Sequence, residues 1–325
     1  MQPSILQLAL ALSVLLLSVA VAPVCAADRK QDPVRVFILA GQSNMEGQGV
    51  VDLDHPEYYN GGKGTLEHVM RTTNSPTRYA GVKDADGQWT VREDVWIRFK
   101  TAHELKRGNL SIGFAGYPGR HHIGPEFQFG RIVGDQLDAQ ILLIKTAWGG
   151  KSLFRDFRPP SVGGETGTFY RQMIAEVREA LARLPDEFPQ YDNRGYEITG
   201  FVWFQGWNDM FDEQARAQYE TNLVHLINDV RAEFERPNMP VVIGELGNGG
   251  PQAGESMMTI RRAQAAAAAR PEFAESVRFV KTTAFARPAD QSPNQGHGHH
   301  WFGNAESYFL IGDALGHAML ALLDD

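Results

Sequence analysis

Cysteine is almost absent from this sequence. Among 325 residues the single cysteine is Cys25, and it lies in a segment that we expect to be removed. The apolar run from Ile5 to Ala22, followed by Val24-Cys25-Ala26, is typical of a signal peptide comprising residues 1–26. A mature chain that begins near Ala27 has no cysteine, which excludes disulfides and cysteine-based metal sites or catalysis.

The same N-terminal run has a second interpretation. It is about long enough to cross a bilayer, so it could act as a membrane anchor. The small residues at the cleavage position favour removal instead. We therefore expect a secreted or periplasmic protein, cleaved near Ala26, with no stable membrane association afterwards.

Positive charge is also scarce. The chain has 31 Lys and Arg against 39 Asp and Glu, a net charge of −8. No basic stripe is present, so we expect no nucleic-acid partner. The sequence shows no internal repeat or linker, and about 300 residues suffice for one large core, which predicts a single domain over residues 27–325.

Strand and helix patterns alternate from Gln140 onward. Apolar, β-rich runs predict strands at 141–146, 198–204, 240–244 and 277–282, and apolar residues at helical spacing predict helices at 169–181, 219–234, 257–269 and 311–322. Such alternation is typical of a three-layer α/β/α sandwich with a mainly parallel central sheet, a flavodoxin-like arrangement. Residues 47–118 break the rhythm and predict a loop-rich insertion, or a small β insertion, above the sheet edge.

The segment Leu39-Ala40-Gly41-Gln42-Ser43-Asn44-Met45-Glu46 carries the strongest functional signal. It follows an apolar run, Val34 to Leu39, that predicts a buried parallel strand. Ser43 would then stand at the carboxyl edge of the sheet, where α/β folds place their sites. Met45 replaces the second glycine of the G-x-S-x-G elbow, which excludes that hydrolase motif. Taken alone, Ser43 could instead cap the next helix.

Three further segments also follow predicted strands or precede the last helix, at the same expected edge. They are Ala147-Trp148-Gly149-Gly150-Lys151-Ser152-Leu153, Trp203-Phe204-Gln205-Gly206-Trp207-Asn208-Asp209 and His297-Gly298-His299-His300-Trp301.

Together the four segments resemble the SGNH hydrolases and, among them, the sialate O-acetylesterase-like (SASA) carbohydrate acetylesterases, whose opening block G-Q-S-N-M is unchanged here. The resemblance extends over roughly Val34 to Leu322. It implies the three-layer fold and a serine esterase that removes O-acetyl groups from carbohydrate without a cofactor. Further matching segments are Gly124-Pro125-Glu126, Gly149 to Leu153, Asp156 to Pro160 and Gly244 to Gly247.

The resemblance implies a role for each part of the site. Ser43 would be the nucleophile and His300 the base, with His299 as the alternative base. The backbone N–H groups of Ser43 and Gly150 would stabilise the oxyanion. A side-chain amide would add a third donor; Trp207 stands where relatives have glutamate, so Asn208 is favoured and Gln205 is the alternative.

The acid of the expected triad is the main departure from the family pattern. SGNH enzymes carry D-x-x-H, but the residue three positions before His300 is His297. A base histidine still needs a group that fixes its tautomer. Asp290 or a main-chain carbonyl would serve, and Asp290 is the predicted acid.

Three residues are predicted to bind substrate: Gln42, Glu126 and Arg158. Glu126 could instead cap the helix that follows it, and Arg158 could belong to an ion-paired loop. Any of three tryptophans in these segments could stack on a sugar ring or pack in the core. They are Trp148, Trp207 and Trp301.

Three other interpretations are considered at this point. The histidines near residue 300, with His121 and His122, are numerous enough for zinc, but their spacing fits no helical His-x-x-x-His pattern, so no metal is expected. A carbohydrate-binding relative that has lost catalysis would account for the missing D-x-x-H aspartate. A lipase-like SGNH esterase is less favoured, because the resemblance is to the carbohydrate branch.

Overall fold

A computed structural model describes residues 32–324 of the chain. The predicted signal peptide, residues 1–26, lies outside this range. Within residues 32–324 every helix is too short or too polar to cross a membrane.

The centre of the described fold is a sheet of seven strands. Its order is β4-β3-β6-β1-β7-β8-β9, and all neighbouring strands are parallel except β3 and β4. The strands are β1 (Val34–Gly41), β3 (Arg92–Lys100), β4 (Leu105–Leu110), β6 (Ile141–Ala147), β7 (Tyr196–Phe204), β8 (Val241–Gly244) and β9 (Val277–Val280); β2 (Gly49–Val50) and β5 (His122–Ile123) form a separate antiparallel pair.

Helices cover both faces of the sheet, as expected for buried parallel strands. One face packs against α4, α6 and α7, and the other packs against α3 and α8. The described helices are α1 (Ser43–Glu46), α2 (Leu66–Thr72), α3 (Glu126–Gln136), α4 (Thr168–Ala182), α5 (Leu184–Glu187), α6 (Glu213–Glu233), α7 (Glu255–Ala268) and α8 (Ala305–Leu323). The predicted three-layer α/β/α sandwich is therefore confirmed.

The first strand shows how the sequence produces these layers. Side chains alternate between the two faces of a strand, so Val36 and Ile38 enter one core while Phe37 and Leu39 enter the other. All four are buried, which is why β1 reads as a continuous apolar run and lies in the centre of the sheet.

The insertion at 47–118 is only partly loop. Residues 92–110 form β3 and β4, which extend the central sheet on one side. Charged residues interrupt the apolar pattern of β3, so its hydrophobic periodicity did not predict a strand. Arg98 in this strand is only 2% exposed. Its Nε donates to the carboxylate of Glu187 at 2.7 Å, and this ion pair compensates for the buried charge.

Helices α3 and α8 approach each other closely through two glycines, Gly312 and Gly316. A Cβ on Gly312 would lie 2.3 Å from the carbonyl oxygen of Pro125, and one on Gly316 would lie 2.8 Å from Ile132 Cβ. Glycine therefore sets the distance between the two helices on this face of the sheet.

Gly312→Ala is expected to destabilise the fold by about 1–3 kcal/mol, because the new methyl group meets backbone that cannot move aside cheaply. The measurement is the free energy of unfolding in urea. The matched control is Gly296→Ala, where an added Cβ has no atom within 4 Å; its effect should stay within about 0.5 kcal/mol. Equal stability of the two variants would contradict the close helix contact.

Candidate active site

Three strand ends meet at Gly41, the last residue of β1. In the sheet register Gly41 lies opposite Ala147 on one side and Phe204 on the other. The segments that leave β1, β6 and β7 therefore start at one point of the carboxyl edge. Gly41 has no room for a side chain, since a Cβ there would lie 2.1 Å from the carbonyl oxygen of Phe204.

Ser43 follows this glycine at the start of the one-turn helix α1. It is 8% exposed, and its Oγ lies 3.0 Å from Nε2 of His300. The serine and the histidine predicted as nucleophile and base are thus in hydrogen-bond contact, although 257 positions separate them. His299, the alternative base, lies beside the His300 ring with the two rings tilted by 50° and their centroids 4.0 Å apart.

His300 lies in an unusual backbone turn, Gly298–Gly303. Trp301 and Phe302 both have left-handed conformations, with φ of 51° and 54°. Such conformations cost about 1–3 kcal/mol each for bulky residues and persist only where other contacts hold them. Here Trp301 is buried, and the backbone of Phe302 bonds to His297 and Asn294.

Asn44 joins the serine segment to the histidine turn. Its Nδ2 donates to the carbonyl oxygen of His299 at 3.0 Å, and its Oδ1 accepts from the Tyr308 hydroxyl at 2.6 Å. The Tyr308 hydroxyl oxygen also lies 3.3 Å from the carbonyl oxygen of His300. Asn44 is inside the G-Q-S-N-M block, but its bridging role was not predicted from the sequence.

The electrostatic surroundings keep His300 uncharged. Burial, with smaller effects from His299 and His297, lowers its pKa to about 4. Among the described residues no carboxylate hydrogen-bonds to its ring. A neutral imidazole is the form that can accept a proton from Ser43 near pH 7.

Asp290 does not take the predicted place beside His300. It is exposed in the short turn Ala289–Gln291, and its backbone carbonyl accepts a bond from Asn60 Nδ2 at 3.0 Å. That contact with the 47–118 insertion holds the turn away from the imidazole. The expected Asp290–His300 contact is therefore wrong.

The two amides considered for the oxyanion occupy different surroundings. Gln205 is 2% exposed, and its Nε2 donates to the Lys151 carbonyl and to Asp209, so it supports the loop from beneath and does not line the cleft. Asn208 lines the same cleft as Ser43, and its Nδ2 donates to the Gly150 carbonyl at 2.7 Å. Because an amide nitrogen has two hydrogens, one is left for a ligand.

Asp209 is a structural carboxylate that the sequence did not single out. It accepts bonds from Gln205 Nε2 and from the backbone N–H groups of Leu153 and Phe154. Burial raises its pKa to about 6 despite these bonds. Asp209 therefore fixes the 150–154 loop to the 205–209 turn.

The residues predicted to bind substrate have other contacts. Gln42 is buried, and its Oε1 accepts the backbone N–H groups of Gly206 and Trp207 at 3.1 and 3.0 Å, although it also touches the cleft. Arg158 donates to the carbonyl oxygens of Gly163 and Phe154 and lines a separate groove. Arg158 therefore does not line the cleft, whereas Gln42 lines it while its Oε1 holds the turn after β7.

Glu126 is not at the cleft. It is 1% exposed, and it accepts from Lys145 Nζ at 2.8 Å and from the Gly124 N–H at 2.8 Å. Lys145 Nζ also donates to the carbonyl oxygens of Glu46 and Phe114. This buried ion pair supports the cleft floor from behind, which corrects the predicted substrate contact.

The cleft itself has a volume of about 430 Å³. Trp207 forms one wall and is the only one of the three candidate tryptophans that lines the described cleft, since Trp301 is buried and Trp148 packs on Phe157 and Phe169. The residues that line the cleft are Gln42, Ser43, Glu46, Gln48, Gly116, Tyr117, Gly149, Gly150, Trp207, Asn208, His299 and His300.

Side chains that could bind a metal ion do not converge in the part of the chain that the structure describes. In residues 32–324 no three His, Cys, Asp or Glu side chains form a group suited to a metal ion. His121 instead contacts Asp52 at 2.7 Å.

A three-layer sandwich whose serine follows the central first strand is a fold of the SGNH type. The chain belongs to the SASA family, described as carbohydrate esterase, sialic acid-specific acetylesterase, whose profile matches residues 33–321. The family membership inferred from the sequence motifs is thereby confirmed.

Individual relatives are distant. A probable carbohydrate esterase from Arabidopsis thaliana is 25% identical over 222 residues, which cover 67% of this chain and 71% of the relative. A solved Arabidopsis thaliana structure has a TM-score of 0.56 at 20% identity, covering 89% of this chain and 98% of the other. A carbohydrate acetylesterase from Xanthomonas citri has a TM-score of 0.52 at 16% identity, covering 87% and 55% respectively.

His297→Asp restores a carboxylate three residues before His300. A carboxylate beside an imidazole stabilises its charged form, so we expect the pKa of His300 to rise from about 4 toward or above its ordinary value near 6.5. The measurement is an NMR titration of the imidazole. His297→Asn has nearly the same shape without the charge and is the control. Identical titrations in both variants would show that position 297 does not face the ring.

Proposed function

We propose that this protein is a serine esterase that removes O-acetyl groups from carbohydrate through an acetyl-serine intermediate. The contact of 3.0 Å between Ser43 Oγ and His300 Nε2 is the observation that carries the proposal. Membership of a carbohydrate esterase family supports the substrate class. Acetylated carbohydrate is then the partner, and the proposed mechanism uses no cofactor.

The first half of the reaction transfers the acetyl group to the enzyme. His300 Nε2 accepts the proton as Ser43 Oγ attacks the acetyl carbonyl carbon. The tetrahedral intermediate then collapses, and His300 returns the proton to the departing sugar oxygen. In the second half, water attacks the acetyl-serine with the same base, and acetate leaves.

The negative oxygen of each intermediate needs donors that are already in place. We assign this role to the backbone N–H groups of Ser43 and Gly150 and to Asn208 Nδ2. Gly150 has φ of 72°, a left-handed conformation that favours glycine. Asp209 and Gln205 hold this loop from beneath without touching substrate.

His300 would work without a carboxylate partner. Loss of the acid weakens a Ser–His site but leaves substantial catalysis. The lack of a carboxylate beside His300 also supports the second candidate, a carbohydrate-binding relative with impaired catalysis. The two proposals differ in whether acetate release depends on Ser43.

The proposed function also includes export of the protein from the cytoplasm. The N-terminal run and the Val24-Cys25-Ala26 site support a signal peptide cleaved near Ala26 and a secreted or periplasmic enzyme with no stable membrane association. The acidic net charge supports the absence of a nucleic-acid partner.

Ser43→Ala is expected to reduce acetate release from p-nitrophenyl acetate and acetylated xylan to background, because the attacking hydroxyl is removed. The matched control is Ser161→Ala. Ser161 Oγ also contacts a histidine, His225 Nδ1, at 2.7 Å, but on the exposed surface. The control should keep full activity. Activity that survives Ser43→Ala would refute the nucleophile, and absence of activity in every form would favour the binding protein.

Asn208→Ala is expected to lower kcat about 10²–10³-fold by removing one oxyanion donor, with little change in KM. Urea unfolding should be unchanged because Asn208 is only half-buried. Gln205→Ala is the comparison: it removes the side-chain hydrogen bonds that Gln205 makes with buried Asp209 and Tyr219, so it should lower stability as well. A kcat unaffected by Asn208→Ala would exclude this amide from the oxyanion site.

A further inference from the structure

One carboxylate lies beside the serine at the cleft. Glu46 ends the one-turn helix that begins with Ser43, and it lines the same cleft. A Cβ placed on Gly149 would lie 3.1 Å from Glu46 Oε2 and 3.7 Å from Ser43 Cβ. The carboxylate and the serine side chain therefore flank the same point, and a sugar whose acetyl group reaches Ser43 must pass close to Glu46.

Backbone contacts hold Glu46 at this place. Its main-chain carbonyl accepts from Lys145 Nζ at 2.8 Å, and its carboxylate receives a bond from the Gly149 N–H. On the other side its Oε2 would be 3.7 Å from a Cβ on Gly116. Glycines on both sides leave room for the Glu46 side chain, which lines the cleft.

No positive side chain balances Glu46 inside the cleft. Among the described lining residues there is no lysine or arginine. Lys145 lies behind the floor, fully buried, and is paired with Glu126. Lys151, next to Gly150 in sequence, instead places its Nζ over the Phe169 ring at 4.4 Å.

The other lining groups are neutral near pH 7. Burial and the neighbouring histidines lower the pKa of His299 and of His300, so both rings are uncharged. Burial raises the pKa of Tyr117, whose hydroxyl donates to Gln48 Oε1 at 2.6 Å. Burial also raises the pKa of Glu46, while Lys145 and the Gly149 N–H oppose that rise.

We infer that Glu46 makes this cleft select uncharged acetylated sugars and disfavour sugars that carry a carboxylate, such as sialic acids. The inference rests on the proposed function and narrows its substrate class. A carboxylate on the sugar would meet a like charge at short range, with no arginine to bind it. Hydroxyl groups of a neutral sugar would instead donate hydrogen bonds to Glu46, and Trp207 offers an aromatic face for the ring.

The test compares two forms of one substrate, an O-acetylated sialic acid as the free acid and as its carboxamide. The two differ in charge and keep the same acetyl ester. At pH 8, which favours the ionised form of Glu46 more than neutral pH does, kcat/KM for acetate release should be at least about tenfold higher for the carboxamide. Raising the salt concentration should reduce this ratio, because the repulsion is screened.

Glu46→Gln should lower the carboxamide-to-acid ratio about tenfold, because it removes the charge and keeps the shape. Glu46→Asp keeps the charge and should keep most of the preference. The control is Glu272→Gln, an exposed residue before the amino end of β9 and thus at the opposite edge of the sheet, where the ratio should not change.

The outcomes separate the inference from the proposed function. Equal kcat/KM for acid and carboxamide, or a ratio that Glu46→Gln leaves unchanged, overturns the inference alone. Failure of both compounds and of p-nitrophenyl acetate to release acetate in a Ser43-dependent reaction overturns the proposed function and the inference with it.

Discussion

The site depends on the hydrogen bonds of one buried amide, Asn44. It lies next to Ser43 and donates to the carbonyl oxygen of His299, while Tyr308 donates to it from the last helix. These bonds bring together segments from opposite ends of the chain. They also help hold the left-handed turn at Trp301, which would otherwise be an unfavourable backbone conformation. The contact between serine and histidine is a consequence of this bridge.

Polar residues beneath the cleft act mainly on backbone. The carboxylate of Asp209 accepts two backbone N–H groups of the 150–154 loop, and the Gln42 amide oxygen accepts two from the turn after β7. The ammonium group of Lys145 binds two carbonyl oxygens in addition to Glu126. Preorganised oxyanion donors require loops in fixed positions, and these buried groups fix the loops. The surface of the cleft is left to a few neutral side chains and Glu46.

The sequence predicted the layers of the fold well, because strands buried on both faces are apolar throughout. It missed β3, since the compensation of Arg98 by Glu187 is a tertiary contact that no local pattern shows. Ser43 and His300 were placed by motif resemblance. Glu126 was predicted to bind substrate, and Gln205 was kept as the alternative oxyanion donor, because a polar residue in such a motif looks the same in the sequence whether it contacts ligand or supports backbone. That difference depends on side-chain direction, which only the folded chain defines.

The low pKa of His300 has a consequence for working conditions. Each turnover of the proposed reaction liberates acetic acid, which acidifies a poorly buffered environment. A base with an ordinary histidine pKa would begin to lose its function after slight acidification. His300, with a pKa of about 4, stays unprotonated until the pH falls close to that value. Burial, the main cause of this low pKa, would therefore make the proposed esterase tolerant of its own product.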